Sequence, residues 1–200
     1  MPLTYASYLK IDELLSLQEP RSSPPEHDEM LFIVIHQVYE LWVKLLLHEV
    51  DAVKLELSEA QTFKAVHTFK RMRTIMKTLV GQLDILETMT PMSFTSFRDR
   101  LETASGFQSK QFRELEFVLG YKRKPVLKFH ESKWFGYDKV EQRLHERSIV
   151  DHFYEFLAHY GVPIPGELRQ RDVTLPTVAN AEVQEGLLHP QHEALVFDRL

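Results

Sequence analysis

Cysteine is absent from this 200-residue sequence, which excludes disulfide bonds and metal sites with cysteine ligands. Together with the lack of a secretory signal pattern, this absence favours a cytoplasmic location. Long apolar runs are missing too. The closest, Met30 to Ile35, ends at His36 and is far shorter than the roughly 20 residues that span a bilayer, so we expect no membrane segment.

Neither sign of charge dominates, since 24 Lys and Arg stand against 29 Asp and Glu, giving a formal net charge of −5. Without a basic face to meet phosphates, the chain is not expected to bind nucleic acid. Glycine is scarce, with 7 residues, and no segment shows the sustained period-two alternation of a strand. Apolar residues instead recur at helical spacing, which predicts an all-α fold.

The predicted helices cover 5–17, 26–57, 61–87, 91–101, 109–119, 140–159 and the last twenty residues. The second is the strongest, because its apolar stripe extends over about 30 residues. We expect three regions: an N-terminal arm at 1–25, a pocket-forming core at 26–165, and an incomplete loop and helix at 166–200.

Two pairs of residues at helical spacing are candidates for ligand binding. Phe32 and His36 share one face of the second helix, where an imidazole could hydrogen-bond a substrate. The simpler interpretation is a histidine at the edge of the core that caps its neighbour Glu40. Phe94 and Arg98 share a face of the fourth helix, where a guanidinium beside an aromatic ring suits a planar carboxylate. The simpler interpretation there is a surface arginine paired with Glu102, one turn further on.

A Ser105-Gly106 pair between two predicted helices lets the backbone approach a ligand closely, although a plain helix–helix turn explains it equally. His145, His152 and His159 recur every seven residues. On one helix, neighbouring members lie about 10 Å apart, too far to share a metal ion. His189 and His192 flank a proline, which favours a loop or a cap. Motifs of hydrolase or nucleotide chemistry are absent.

Three longer stretches, taken together, are similar to the signatures of one known family. They are the run from His27 to Glu49, the run from Met89 to Arg98, and the run from Ala104 to Glu116. They resemble the tryptophan 2,3-dioxygenases in order and in spacing, and the opening Tyr5-Ala-Ser-Tyr-Leu9 follows the same pattern. The resemblance covers most of residues 4–165.

This resemblance implies an all-helical homotetramer that binds b-type haem. The implied reaction inserts both atoms of O₂ across the indole 2,3-bond of L-tryptophan to give N-formylkynurenine, the first step of tryptophan catabolism by the kynurenine pathway. By the same resemblance His36 is the catalytic residue that meets the indole N–H, and Arg98 holds the substrate carboxylate. Phe32 packs on the indole ring, and the neighbouring Ile33, Val34 and Ile35 belong to the same pocket.

Three further assignments come only from the resemblance. Phe94 stands where many bacterial relatives have a tyrosine that also touches the carboxylate, so that hydrogen bond is expected to be missing. Ser105 and Gly106 are expected beside the haem. An arm from a neighbouring subunit is expected to complete the pocket with Tyr5, Tyr8 and Leu9.

The family's histidine ligand to iron is expected beyond Leu200, so no metal ligand is predicted in this chain. The chain would then be either part of a longer enzyme or a naturally short relative. Two other functions stay open: a haem-free relative that binds tryptophan or indoles, and an all-α assembly module without catalysis.

Overall fold

The computed structural model describes residues 2–130 and 137–188, and all regular secondary structure in these ranges is helical, which confirms the all-α prediction. The α-helices are α1 Tyr5–Leu9, α2 Ile11–Leu15, α3 His27–Ser58, α4 Thr62–Leu86, α5 Pro91–Arg98, α6 Lys110–Val118, α7 Tyr137–His145, α8 Ile149–His159, α9 Gly166–Arg169 and α10 Ala181–Leu188. Three 3-10 helices cover Asp99–Leu101, Gly106–Gln108 and Lys124–His130.

The chain divides into two compact units. The first unit comprises Met1–Leu41 and Thr78–Ser105, and the second comprises Trp42–Lys77 and Gly106–Leu200. The helices α3 and α4 are each divided between the two units.

Local signals locate several helix ends correctly. The long helices predicted at 26–57 and 61–87 are confirmed by α3 and α4 to within one residue at each end. The side chain of Thr90 accepts a hydrogen bond from the backbone of Ser93 and so caps α5, with Pro91 as the first helical residue. Ser109 caps α6 in the same way, and Gly120, with φ of +100°, follows the end of that helix.

The predicted helix at 5–17 is wrong, because α1 and α2 are separate helices. They meet at Lys10, which adopts a left-handed conformation with φ of 55°. The backbone N–H of Lys10 bonds to the carbonyl of Ala6 and closes α1. Neither glycine nor proline marks this break in the sequence, so the apolar spacing alone did not reveal it.

The predicted helix at 140–159 is also wrong, because it is divided into α7 and α8. Ser148 accepts from the backbone N–H of Asp151, whose carboxylate accepts from the backbone and hydroxyl of Ser148. This reciprocal capping box starts α8. The end of α7 is held from elsewhere, because the ammonium of Lys122 donates to the carbonyls of Leu144 and Glu146.

Helix α3 is long and apolar enough to cross a membrane by length and composition. Our expectation of no membrane segment rested on uninterrupted apolar runs, whereas α3 meets these criteria once a few polar residues are tolerated. This is weak evidence for a membrane, because the core helix of a soluble protein passes the same test. A carboxylate also lies buried in its first turn, at Glu29.

Candidate functional site

Three aromatic rings from α3 and α5 form a cluster in the first unit. The ring centre of Phe32 lies 5.9 Å from that of Phe94 and 5.7 Å from that of Phe97. Phe94 and Phe97 meet edge to face at 5.5 Å, an arrangement that aromatic pairs favour. Phe97 is fully buried, whereas Phe32 and Phe94 are half-buried. The cluster therefore has one ring anchored in the core and two that reach toward the surface.

Phe97 was missed as a candidate. Its signal was present, because Phe97 stands three residues after Phe94 on α5 and helical geometry turns the two rings to neighbouring positions. The sequence alone did not indicate which of the two points into the core.

His36 joins this cluster from α3. Its ring centre lies 4.1 Å from that of Phe32, and its Nδ1 lies 2.7 Å from the carbonyl oxygen of Phe32. A carbonyl oxygen only accepts hydrogen bonds, so Nδ1 carries the proton. In the neutral imidazole, Nε2 is then an acceptor. The half-buried ring is thus held in one orientation by its own helix.

Arg98 lies at the last residue of α5, one turn after Phe94, and its side chain is exposed. Its guanidinium donates to the main-chain carbonyl of Glu102 at 3.3 Å. The contact with Glu102 is therefore to the backbone. A guanidinium has five N–H donors in a planar fork, so it can hold this carbonyl and still face a carboxylate.

The other residues expected in the pocket differ in their exposure to solvent. On α3, Ile35 is buried, Ile33 is half-buried and Val34 is 38% exposed. On α1, which has no buried residue, Tyr5 is 77% exposed, Tyr8 70% and Leu9 42%. The structure brings none of these three α1 residues into a described contact with the aromatic cluster.

The two residues expected beside haem are both exposed. Ser105 is the last residue of the first unit, and Gly106 begins the second unit and a 3-10 helix. A methyl group placed on Gly106 would meet no other group within 4 Å, so the space around its α-carbon is open.

Among the side chains that the structure describes, no group of three or more His, Asp or Glu could hold a metal ion. The expected histidine stripe is not on one helix, because His145 ends α7 whereas His152 and His159 belong to α8. The Nδ1 of His152 lies 2.9 Å from the hydroxyl oxygen of Ser58, and burial lowers the pKa of this imidazole. His189 and His192 lie outside the described residues.

The connector between α2 and α3 is tied to α3 by hydrogen bonds. The buried carboxylate of Glu29 accepts hydrogen bonds from the backbone N–H of Arg21 at 2.7 Å and of Ser22 at 3.0 Å. Two turns further along α3, the amide of Gln37 donates to the carbonyl of Leu17 at 2.9 Å and accepts from Gln18 at 2.6 Å. None of these residues was predicted from the sequence to have a role.

The chain matches a family model described as tryptophan 2,3-dioxygenase over residues 1–144. It is 54% identical over 186 residues to a tryptophan 2,3-dioxygenase of Herpetosiphon aurantiacus, a match that covers 93% of this chain and 71% of that relative. It is 48% identical over 163 residues to one from Anaeromyxobacter sp., covering 82% of this chain and 61% of the relative. A third, from Arthrobacter sp., is 44% identical over 172 residues, covering 86% and 61%.

The chain thus spans roughly three fifths to seven tenths of the length of these relatives. The family match covers the aromatic cluster, His36, Arg98 and the Ser105-Gly106 pair. By the extent of the family match and by these identities, the chain belongs to the tryptophan 2,3-dioxygenase family of enzymes.

Proposed function

We propose that this chain provides the substrate side of a haem-dependent tryptophan 2,3-dioxygenase. The proposed reaction is L-tryptophan plus O₂ giving N-formylkynurenine, in which both oxygen atoms enter the product and no other oxidant or reductant is consumed. The observation that carries the proposal is the arrangement of His36 and Arg98 around the rings of Phe32 and Phe94. It offers an apolar surface, an acceptor and a cation to one zwitterionic aromatic molecule.

Two polar groups of the substrate, the indole N–H and the carboxylate, have partners of suitable chemistry. The indole N–H is a donor and needs an acceptor, which Nε2 of His36 supplies because Nδ1 is committed to the carbonyl of Phe32. The substrate carboxylate needs a planar pair of donors, which the exposed guanidinium of Arg98 supplies. The half-buried ring of Phe32 supplies a face for the indole.

Haem, when bound, supplies the activation of dioxygen. In this proposal Ser105 and Gly106 lie at its edge, since both are exposed and the space at Gly106 is open. The aromatic residues orient the indole and exclude water from it. No residue of this chain is proposed as the ligand to iron.

We also propose, from the same resemblance, a cytoplasmic homotetramer. The exposed Tyr5, Tyr8 and Leu9 of α1 support a role in a neighbouring subunit, because apolar side chains exposed together on a short arm favour a partner surface.

Calorimetric titration of the purified protein with L-tryptophan tests the proposal. We expect saturable binding that Arg98→Ala weakens at least tenfold, because the carboxylate loses a charge-assisted bidentate partner. Arg73→Ala removes an exposed arginine from α4 and is the matched control. The protein is also titrated with haem, and the Soret band of the bound haem should shift when L-tryptophan is added.

The alternatives give different results. Binding of L-tryptophan that depends on Arg98, with no Soret band, would identify a haem-free binder. No binding of either ligand would contradict the proposal and leave an assembly module.

A further inference from the structure

The carboxylate of Glu29 is a buried charge that the proposed chemistry does not use. Glu29 belongs to the first turn of α3 and is 1% exposed. Its two oxygens accept from the backbone N–H groups of Arg21 and Ser22, at 2.7 and 3.0 Å, and from the hydroxyl of Ser22. A buried carboxylate is tolerated when its lone pairs are matched by donors in this way.

Glu29 is ionised in this setting. Burial raises the pKa of its carboxyl. The hydroxyl of Ser22, the backbone amides of Arg21 and Ser22 and the charge of Arg100 together lower this pKa by more than burial raises it. The net direction is a pKa below the usual value for glutamate. All three donors come from the connector, so the carboxylate ties the connector to α3.

The hydroxyl of Ser22 has a second role, because it accepts from the backbone N–H of Glu26 at 3.0 Å. It therefore satisfies one of the unpaired N–H groups that precede α3 while it donates to Glu29. Ser22 links the connector to the start of α3 at two points.

A second tie lies eight residues further along α3. Gln37 accepts from the side chain of Gln18 at 2.6 Å and donates to the carbonyl of Leu17 at 2.9 Å. Glu29 and Gln37 are about 12 Å apart along the helix axis. His36 stands seven residues after Glu29 and therefore on the same face of α3. It comes one residue before Gln37, so along the helix axis it lies between Glu29 and Gln37.

We infer that Glu29 is a positioning residue for substrate binding, because its carboxylate holds the connector at residues 17–22 in a fixed place along the His36 face of α3. The inference rests on the proposed function for the identity of the ligand. The held connector also bonds to Gln37, the residue after His36, and it sets where the arm carrying Tyr5 and Tyr8 joins α3.

The test compares Glu29→Gln with Glu19→Gln, which makes the same charge change at an exposed position of the connector. Hydrogen exchange measures the backbone amides of Arg21 and Ser22, and calorimetry measures the affinity for L-tryptophan. In Glu29→Gln we expect exchange of these amides to rise roughly tenfold and affinity to fall about fivefold, the effect of one lost net hydrogen bond. Glu19→Gln should change neither.

Two further variants separate positioning from general loss of structure. Ser22→Ala removes one donor and leaves the carboxylate charged, so it should move both readouts in the same direction even if Glu29→Gln fails to fold. Arg98→Ala should lower affinity without changing the exchange of Arg21 and Ser22. Amides in the core of α8, such as that of Leu157, should exchange as in the wild type in all variants.

Each outcome decides between the inference and the proposed function. Faster exchange of the connector with wild-type affinity would overturn the inference and leave the proposed function standing. Unchanged exchange in both Glu29→Gln and Ser22→Ala would overturn it as well. Failure of the wild-type protein to bind L-tryptophan would overturn the proposed function, and the inference with it.

Discussion

The Nδ1 of His36 lies 2.7 Å from the carbonyl oxygen of Phe32, and the two rings lie 4.1 Å apart. One turn of α3 thus supplies both an aromatic surface and an acceptor whose direction is set by the backbone. Because the bond is made within the helix, it forms with α3 itself and needs no distant partner.

Replacement of His36 by alanine should weaken L-tryptophan binding about fivefold, since it removes one hydrogen bond worth about 1 kcal/mol net. The helical circular dichroism spectrum should not change. His48→Ala removes an exposed histidine from the same helix and is the control. If His36→Ala instead abolished folding, His36 would be a core histidine and the proposed role would be wrong.

Phe94→Tyr should strengthen L-tryptophan binding about fivefold. Phe94 is half-buried, its ring centre lies 5.9 Å from that of Phe32, and it stands one turn before Arg98. At this position, related enzymes are expected to place a tyrosine hydroxyl against the carboxylate. The new hydroxyl adds about one net hydrogen bond. The gain should vanish with tryptamine, which has no carboxylate. Phe63→Tyr, at a ring 78% exposed on α4, should have no effect.

Lys122→Met should lower the free energy of unfolding by roughly 2–4 kcal/mol, because it leaves one buried and two partly buried carbonyls without this donor. The ammonium of Lys122 lies 2.8 Å from the carbonyls of Arg143 and Leu144 and 2.5 Å from that of Glu146. Burial lowers the pKa of this amine to about 8. Urea unfolding measures the loss, with Lys139→Met at an exposed position of α7 as control. An equal result for both variants would contradict the capping role.

Asp151 should make stability depend on acid pH. Burial raises the pKa of its carboxyl. The guanidinium of Arg171 and the hydroxyl and backbone amide of Ser148 together lower this pKa by more than burial raises it. The folded pKa therefore lies below the usual 3.8, so the stabilisation is present above about pH 4 and is lost as pH falls through the folded pKa.

Urea unfolding between about pH 2.5 and 6 measures this dependence. Asp151→Asn should lower stability at pH 6 and flatten the fall in acid. Asp138→Asn, at an exposed position of α7, should keep the wild-type profile. An unchanged acid profile in Asp151→Asn would assign the fall to other carboxylates.

Features that depend on a few neighbouring residues could be predicted from the sequence alone. The long helices α3 and α4 follow from apolar periodicity, and the start of α5 follows from Thr90 and Pro91, because a cap acts within one turn. Membership of the family was visible in the same way, since its signatures are contiguous stretches. The spacing of Phe32 and His36 already placed them on one face.

Features that depend on residues distant in sequence became visible only in the folded structure. The end of α7 is held by Lys122, more than twenty residues earlier, so periodicity through 140–159 predicted one helix where there are two. The burial of Glu29 became possible only when the connector folded back to supply its donors. Periodicity reports which face is apolar, whereas the matching of buried charges and carbonyls depends on which segments meet in space.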